Sequence, residues 1–148
     1  MRITSGPWTR ERVTQYLTET VVPVRLACHA EDGWPLVLSL WYLYDEEAIW
    51  CATQASATVV RHLARDGRCA FEIAPNEPPY RGVRGRGRVI VHPQRGAEVL
   101  ERLIARYLGP GDSPLARWLR RRAEHEVALH VGSLSVTSWD YTRRMLAR

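Results

Sequence analysis

Lysine is missing from this sequence, and all 21 of its basic residues are arginine. A lysine-linked Schiff base is therefore excluded, and with it pyridoxal-phosphate chemistry of the lysine-linked kind. The sequence also lacks an apolar run of the roughly eighteen residues that a membrane-spanning helix needs. No signal peptide is expected, because Met1 to Gly6 is polar and Pro7-Trp8-Thr9 is already typical of a helix start.

The motifs of several well-known sites are missing as well. There is no Gly-x-Ser-x-Gly elbow for a nucleophile and no Cys-x-x-Cys pair. The five histidines do not have the spacing of zinc ligands, so no metal site is predicted. The three cysteines, Cys28, Cys51 and Cys69, each lie in a strand-like run, which predicts buried reduced thiols and a cytoplasmic protein.

What is present is typical of one globular domain spanning residues 1–148. Hydrophobic residues make up 45% and charged residues 25% of the chain, both ordinary values. The length suffices for one well-formed core, and the net charge of +5 is moderate.

The stretch from Trp34 to Asp66 predicts a strand, a turn, a second strand and a helix. Trp34–Tyr44 is apolar and aromatic, Asp45–Glu47 marks the reversal, and Ile49–Thr53 returns as a strand. From Ser56 the apolar positions change to helical spacing, and Gly67 ends the helix. The free N–H groups of this helix start lie beside the hydroxyls of Thr53 and Ser56, so the sequence predicts an anion site there, most often a phosphate site.

The rest of the chain predicts further strands around peripheral helices. A first helix is capped by Thr9, and a bulge at Gly132 or Ser133 restores the alternation of the last strand. The count is about six strands, so we expect a mainly β, α+β fold, a six-stranded antiparallel split β-barrel. The other predicted elements are strands Val22–His29, Arg68–Ala74, Tyr80–His92 and Glu126–Ser138, with a helix over Gly96–Leu108 and another that Ser113 caps and Pro114 begins.

The order of five motifs resembles a known family over nearly the whole chain. The motifs are P-L-V-L-S-L-W-Y-L-Y-D, A-T-Q…V-V-R-H-L, C-A-F-E-I, P-P-Y-R-G-V-R-G-R-G-R and S-W-D-Y. Together they resemble the pyridoxamine 5'-phosphate oxidase-like, FMN-binding split β-barrel proteins, in the branch that includes deazaflavin-dependent reductases.

The resemblance implies a homodimer with flavin sites at the subunit interface. It places Ser39, Leu40, Trp41 and Tyr42 beside the flavin ring. It places Thr53, Gln54, Ala55, Ser56, Thr58 and Arg61 near the phosphate, with Arg84, Arg86 and Trp139 completing the pocket. Because the flavin carries the redox chemistry, no separate catalytic residue is expected.

One departure from the family concerns the phosphate. The resemblance leads us to expect basic residues around positions 55 and 58, where this chain has Ala55 and Thr58. We therefore expect FMN to be held weakly unless Arg61 or Arg25 compensates for the missing charge. Simpler interpretations stand beside the cofactor roles: the aromatic residues Trp41, Tyr42 and Trp50 as core, Ser56 as a helix cap, Arg61 as a solvated residue and Thr53 as an ordinary strand residue.

Three explanations compete for Arg84, Arg86 and Arg88, which alternate along one strand face. They form a solvated surface, face a flavin or an anionic substrate, or contact nucleic acid. The last is disfavoured, because the run sits within an alternating strand rather than in a low-complexity tract.

The sequence therefore predicts a cytoplasmic, homodimeric, FMN-binding oxidoreductase acting on an unidentified small molecule, without membrane contact. The alternatives are a deazaflavin-dependent reductase, a non-catalytic module that holds a flavin or, less favoured, haem, and a basic nucleic-acid-binding barrel.

Overall fold

The computed structural model describes residues 1–146 as a rolled sheet with helices around it. The strands are β1 (Arg2–Ser5), β2 (Val24–His29), β3 (Pro35–Leu40), β4 (Leu43–Asp45), β5 (Ala48–Gln54), β6 (Arg68–Ile73), β7 (Arg81–His92) and β8 (Glu126–Asp140). The helices are α1 (Arg10–Glu19), α2 (Thr58–Arg65), α3 (Gly96–Leu108), α4 (Pro114–Arg120) and α5 (Thr142–Leu146), with 3₁₀ turns at Pro93–Arg95 and Ala123–His125. None of the helices in residues 1–146 has the length and apolar character of a membrane span.

The sheet follows the order β3-β2-β6-β7-β8-β5-β4, and β1 adds to β8 in parallel. All other pairings are antiparallel. The two ends of this order, β3 and β4, are consecutive in the chain and joined only by Trp41 and Tyr42. The two sheet edges must therefore meet at these residues, which rolls the sheet into a split half-barrel. The predicted mainly β class is confirmed.

The strand count is eight rather than the expected six, for two reasons. The polar start of the chain forms β1, which the sequence did not reveal. The predicted strand Trp34–Tyr44 divides at Trp41-Tyr42, because the backbone N–H of Tyr42 donates to the hydroxyl of Tyr107 (3.1 Å) instead of continuing the strand ladder.

Two local predictions in the sheet are confirmed. The acidic reversal is a two-residue turn at Glu46 and Glu47, whose φ angles of 49° and 60° suit a tight hairpin between β4 and β5. In β8, Ser133 has a φ of 53°, and Ser133 and Leu134 together oppose Gly87 of β7. This bulge keeps the apolar residues on both sides of it facing the core.

Two helix starts are capped as predicted. The side chain of Thr9 accepts from the backbone N–H of Arg12 (3.3 Å), and that of Ser113 accepts from Ala116 (3.2 Å). Helix α3 covers the outer side of β5 and β8, where Trp50, Leu103 and Ala128 form a second apolar cluster outside the barrel core.

Candidate functional site

A cavity of about 320 Å³ lies where β3 and β5 end, beneath α3 and α4. Five residues of the predicted cofactor set line it: Ser39, Leu40, Trp41, Thr53 and Gln54. The split between β3 and β4 brings the end of β3 next to the end of β5, so residues distant in sequence share this wall. The remaining wall consists of Ala52, Leu100, Leu103, Leu115, Trp118, Leu119, Arg122 and Glu126.

Trp41 has a fixed position at the cavity wall. Its ring stacks on that of Tyr107 with centroids 4.8 Å apart and planes 5° apart. The Tyr107 hydroxyl in turn donates to the carbonyl of Val22 (2.9 Å). The ring of Trp41 is thus packed against Tyr107 and also lines the cavity, and its place beside a flavin ring stays a prediction.

Tyr42 does not line the cavity, which corrects its predicted place beside the ring. Its side chain is fully buried in the barrel core, and its hydroxyl lies 2.9 Å from the carbonyl oxygens of both Leu17 and Thr20. Burial raises the pKa of this hydroxyl. The side chain turns inward because it ties the loop after α1 to the junction between β3 and β4.

Three polar residues close one side of the cavity, and of these only Gln54 was among the residues predicted from the sequence. The Gln54 side-chain amide donates to Glu126 Oε1, and the Arg122 guanidinium donates to Gln54 Oε1 (3.3 Å). The Arg122 guanidinium also lies 4.9 Å from the centre of the Trp118 ring. Burial raises the pKa of the Glu126 carboxyl, while Gln54 and Arg122 oppose that shift. The only sequence signal was an acidic residue at the start of an apolar strand.

The start of α2 lies directly after the cavity residues and has no side-chain cap. Its cap residue is Ala57, not Ser56, so the prediction that Ser56 caps the helix is wrong. The chain makes one extra turn after β5, held by the Ala57 N–H on the Gln54 carbonyl (2.9 Å), and this delays the helix. Within residues 1–146, the N–H groups of Ser56, Thr58 and Val59 have no acceptor.

This helix start is electrostatically open to an anion. Ala55, Ser56, Thr58 and Arg61 are all exposed, and the first turn of α2 contains no acidic residue. Unpaired N–H groups at a helix start carry a partial positive charge that favours a phosphate or carboxylate.

Arg84, Arg86 and Trp139 do not line the cavity. Arg84 and Arg86 border a separate hollow on the outer face of β7 and β8, with Ser135 and Thr137. The Arg84 guanidinium lies 5.8 Å from the centre of the Trp139 ring. Within one chain the predicted residues therefore form two groups rather than one pocket.

The two groups are connected across the outer face of the sheet. Ser39, Arg25, Glu72 and Arg84 occupy successive register positions on β3, β2, β6 and β7. Three strand spacings separate the ends of this row, roughly 14 Å. The row is long enough for one extended ligand to span, and its members are polar.

The comparisons with known proteins show the family. The sequence model of the family described as pyridoxamine 5'-phosphate oxidase matches residues 11–133. The chain belongs to this family. No curated protein matches the sequence significantly.

Solved structures agree on the fold. A conserved hypothetical protein from Mycobacterium tuberculosis has 21% identity and a TM-score of 0.79, covering 96% of this chain and 91% of its own. A protein named F420 reductase has 24% identity and a TM-score of 0.67, covering 82% and 94%. A FAD-binding protein from Mesorhizobium loti has 17% identity and a TM-score of 0.62, covering 87% and 94%. At these identities the likeness shows the fold alone, and the roles of the site residues stay predictions.

Proposed function

We propose that this protein binds a flavin-type cofactor between the cavity and the start of α2, and uses it to oxidise or reduce a small molecule. One observation carries the proposal: in a chain of this family, an uncapped helix start follows directly on residues that line a cavity. The names of two similar structures, an F420 reductase and a FAD-binding protein, support a cofactor of the flavin type.

FMN is the cofactor we propose first. Its phosphate would accept hydrogen bonds from the free N–H groups of Ser56, Thr58 and Val59, with Arg61 as the nearest exposed cation on the same helix. Its ring end would lie towards Trp41 and Thr53. The flavin supplies the redox chemistry, and the chain holds and orients it.

Arg25 does not supply the missing positive charge at the phosphate. Its guanidinium already donates to the carbonyl of Ala74 (3.1 Å) and to the side chain of Asn76, and lies 3.7 Å from the Glu72 carboxylate. Arg61 is therefore the cation that we propose for this role.

A deazaflavin coenzyme is the second candidate, favoured by the same shortage of charge. FMN ends in a phosphate monoester with about −1.5 to −2 charge at neutral pH. A coenzyme whose phosphate is a diester has only one negative charge there. Such a phosphate needs less positive charge from the protein, and Ala55 and Thr58 provide none. The two candidates use the same helix start and differ in how strongly the phosphate needs basic side chains.

We further propose that the protein is a cytoplasmic homodimer. The outer face of β2, β3 and β6 exposes Val37 (63%) with the small residues Ala27 and Ala70 beside it, and Trp34 (74%) follows at the turn before β3. Burial of such apolar surface favours association. A cytoplasmic location suits three free buried cysteines, and burial raises the pKa of Cys69 to about 11, which keeps its thiol protonated.

Titration of the purified protein with FMN, riboflavin and a deazaflavin coenzyme tests the proposal. Riboflavin has the FMN ring without the phosphate, so we expect FMN to bind about tenfold tighter or better, by fluorescence quenching. Equal affinity for FMN and riboflavin would show that the phosphate is not held. Binding of none of the three, or a haem absorption band in the purified protein, would contradict the proposal.

A further inference from the structure

The cavity beneath α3 and α4 contains a buried carboxylate with an unused acceptor. Glu126 is only 8% exposed, yet its Oε1 has a single donor, the amide of Gln54. Its Oε2 has no donor among residues 1–146. The unpaired oxygen is not among the fully enclosed polar atoms of residues 1–146, so water meets it in the free protein. A ligand N–H or O–H group in the cavity can replace that water as the donor.

Glu126 forms one cross-strand hydrogen bond, with Gln54, at the end of the β5–β8 ladder. It lies at the first position of β8, in register with Gln54 at the last position of β5. The flanking residue Val127 is apolar and buried, as expected for a strand beneath a helix. A charged side chain here costs stability through its burial, in keeping with its raised pKa. Such a cost is typical of a functional position.

The rest of the cavity selects against large and charged molecules. Its walls are mainly apolar, with Leu100 and Leu103 from α3 and Leu115 and Trp118 from α4. Its volume of about 320 Å³ equals that of roughly ten water molecules. The Arg122 guanidinium over Trp118 disfavours a cation, and Glu126 disfavours an anion.

We propose that this cavity is the substrate pocket, and that it binds a small, neutral, largely apolar molecule whose N–H or O–H group donates to Glu126. The name "substrate pocket" rests on the proposed function, because the cavity shares Trp41, Thr53 and Gln54 with the cofactor residues proposed above. Glu126 is then the residue that sets ligand preference, with Gln54 and Arg122 as positioning residues. The binding chemistry itself does not depend on which cofactor is present.

A matched pair of probes tests this binding chemistry. 2-Naphthol has a hydroxyl donor, and 2-methoxynaphthalene has the same rings without one. By calorimetry on the full chain, we expect 2-naphthol to bind about tenfold tighter or better, the effect of one hydrogen bond to a charged acceptor. Equal affinities, or binding of neither probe, would overturn the proposal.

Substitutions locate the preference at Glu126. Glu126→Leu removes the acceptor, so both probes should bind it about equally, whereas Glu126→Gln retains an uncharged acceptor and should show a smaller preference. Glu124→Gln is the matched control, because that carboxylate is exposed and lies outside the cavity, and it should keep the full preference. Trp118→Ala should weaken both probes by a similar factor. An unchanged preference for 2-naphthol over 2-methoxynaphthalene in Glu126→Leu would overturn the proposal. If the Leu variant does not fold, an unchanged preference in Glu126→Gln would overturn it.

The same proteins titrated with FMN separate the two proposals. If the naphthol pattern holds and FMN binds none of them, the cofactor proposal is wrong and the pocket stands. If FMN binds and the probes show no preference, the pocket assignment is wrong and the cofactor proposal stands.

Discussion

Adding positive charge at the start of α2 should tighten FMN binding and weaken the free protein. The perturbation is the double substitution Ala55→Arg, Thr58→Lys, at two exposed positions beside the unpaired N–H groups of Ser56, Thr58 and Val59. Neither position packs in the core, so the substitutions add charge without removing buried contacts.

The magnitude follows from competing electrostatic effects. A hydrogen bond to a charged group contributes about 1.5–3 kcal/mol when well formed, but an exposed ion pair contributes only about 0–1 kcal/mol. Because both positions are exposed, we expect a combined gain of about 1.4 kcal/mol, which is tenfold in affinity. Without FMN, a cation near a helix N-terminus costs about 0.3–1 kcal/mol of stability.

The assay measures both effects on one protein. FMN fluorescence quenching gives the affinity, and thermal unfolding with and without FMN gives the stability. Ala64→Arg is the matched control for the single variant Ala55→Arg, since each adds one positive charge to an exposed alanine, here at the C-terminal turn of α2. There a cation is favourable to the helix and far from the proposed phosphate, so FMN affinity should not change. If the double variant binds FMN no better than the wild type, the phosphate does not lie at this helix start.

Three further outcomes are expected. The double substitution Arg84→Ala, Arg86→Ala should weaken the binding of an anionic ligand with little change in melting temperature, whereas Arg88→Ala should leave the binding unchanged. Equal affinity in the double variant would show that this strand face is only a solvated surface. Tyr42→Phe should lower the free energy of unfolding by about 0.5–1.5 kcal/mol in urea, because one buried hydroxyl donor is lost while Arg106 still donates to the carbonyls of Leu17 and Thr20. It should leave FMN affinity unchanged. Burial and neighbouring positive groups lower the pKa of His130 below its ordinary value near 6.5. The stability that His130 contributes is therefore fully present above pH 6.5 and is lost as the pH falls from 6.5 through the lower pKa of the folded state. Over the same fall in pH, His130→Gln should lose less stability than the wild type.

The elements that the sequence predicted well depend on neighbouring residues in the chain. The reversal at Glu46-Glu47 follows from an acidic pair between two apolar runs, and the bulge at Ser133 from a one-residue break in alternation. The caps at Thr9 and Ser113 are equally local. Each of these features has a cause within a few positions of it, so pattern and propensity suffice.

The features that the sequence missed depend on contacts between distant segments. Tyr42 is in the core because of carbonyls at the end of α1, and the strand breaks there because of the Tyr107 hydroxyl of α3. Glu126 meets Gln54 only because β8 pairs with β5 across 72 positions of sequence. No periodicity in either segment reveals these pairings. The resemblance indicated where to look for a candidate site, and the structure shows the cavity, its polar residues and the uncapped helix start there.

Backbone hydrogen exchange with and without FMN tests the central claim most directly. The account predicts that FMN slows exchange of the Ser56, Thr58 and Val59 amides, since these N–H groups would gain an acceptor. It predicts a smaller effect with riboflavin, which has no phosphate. Slower exchange confined to β7 around Arg84 and Arg86, with the α2 amides unchanged, would contradict the placement of the cofactor.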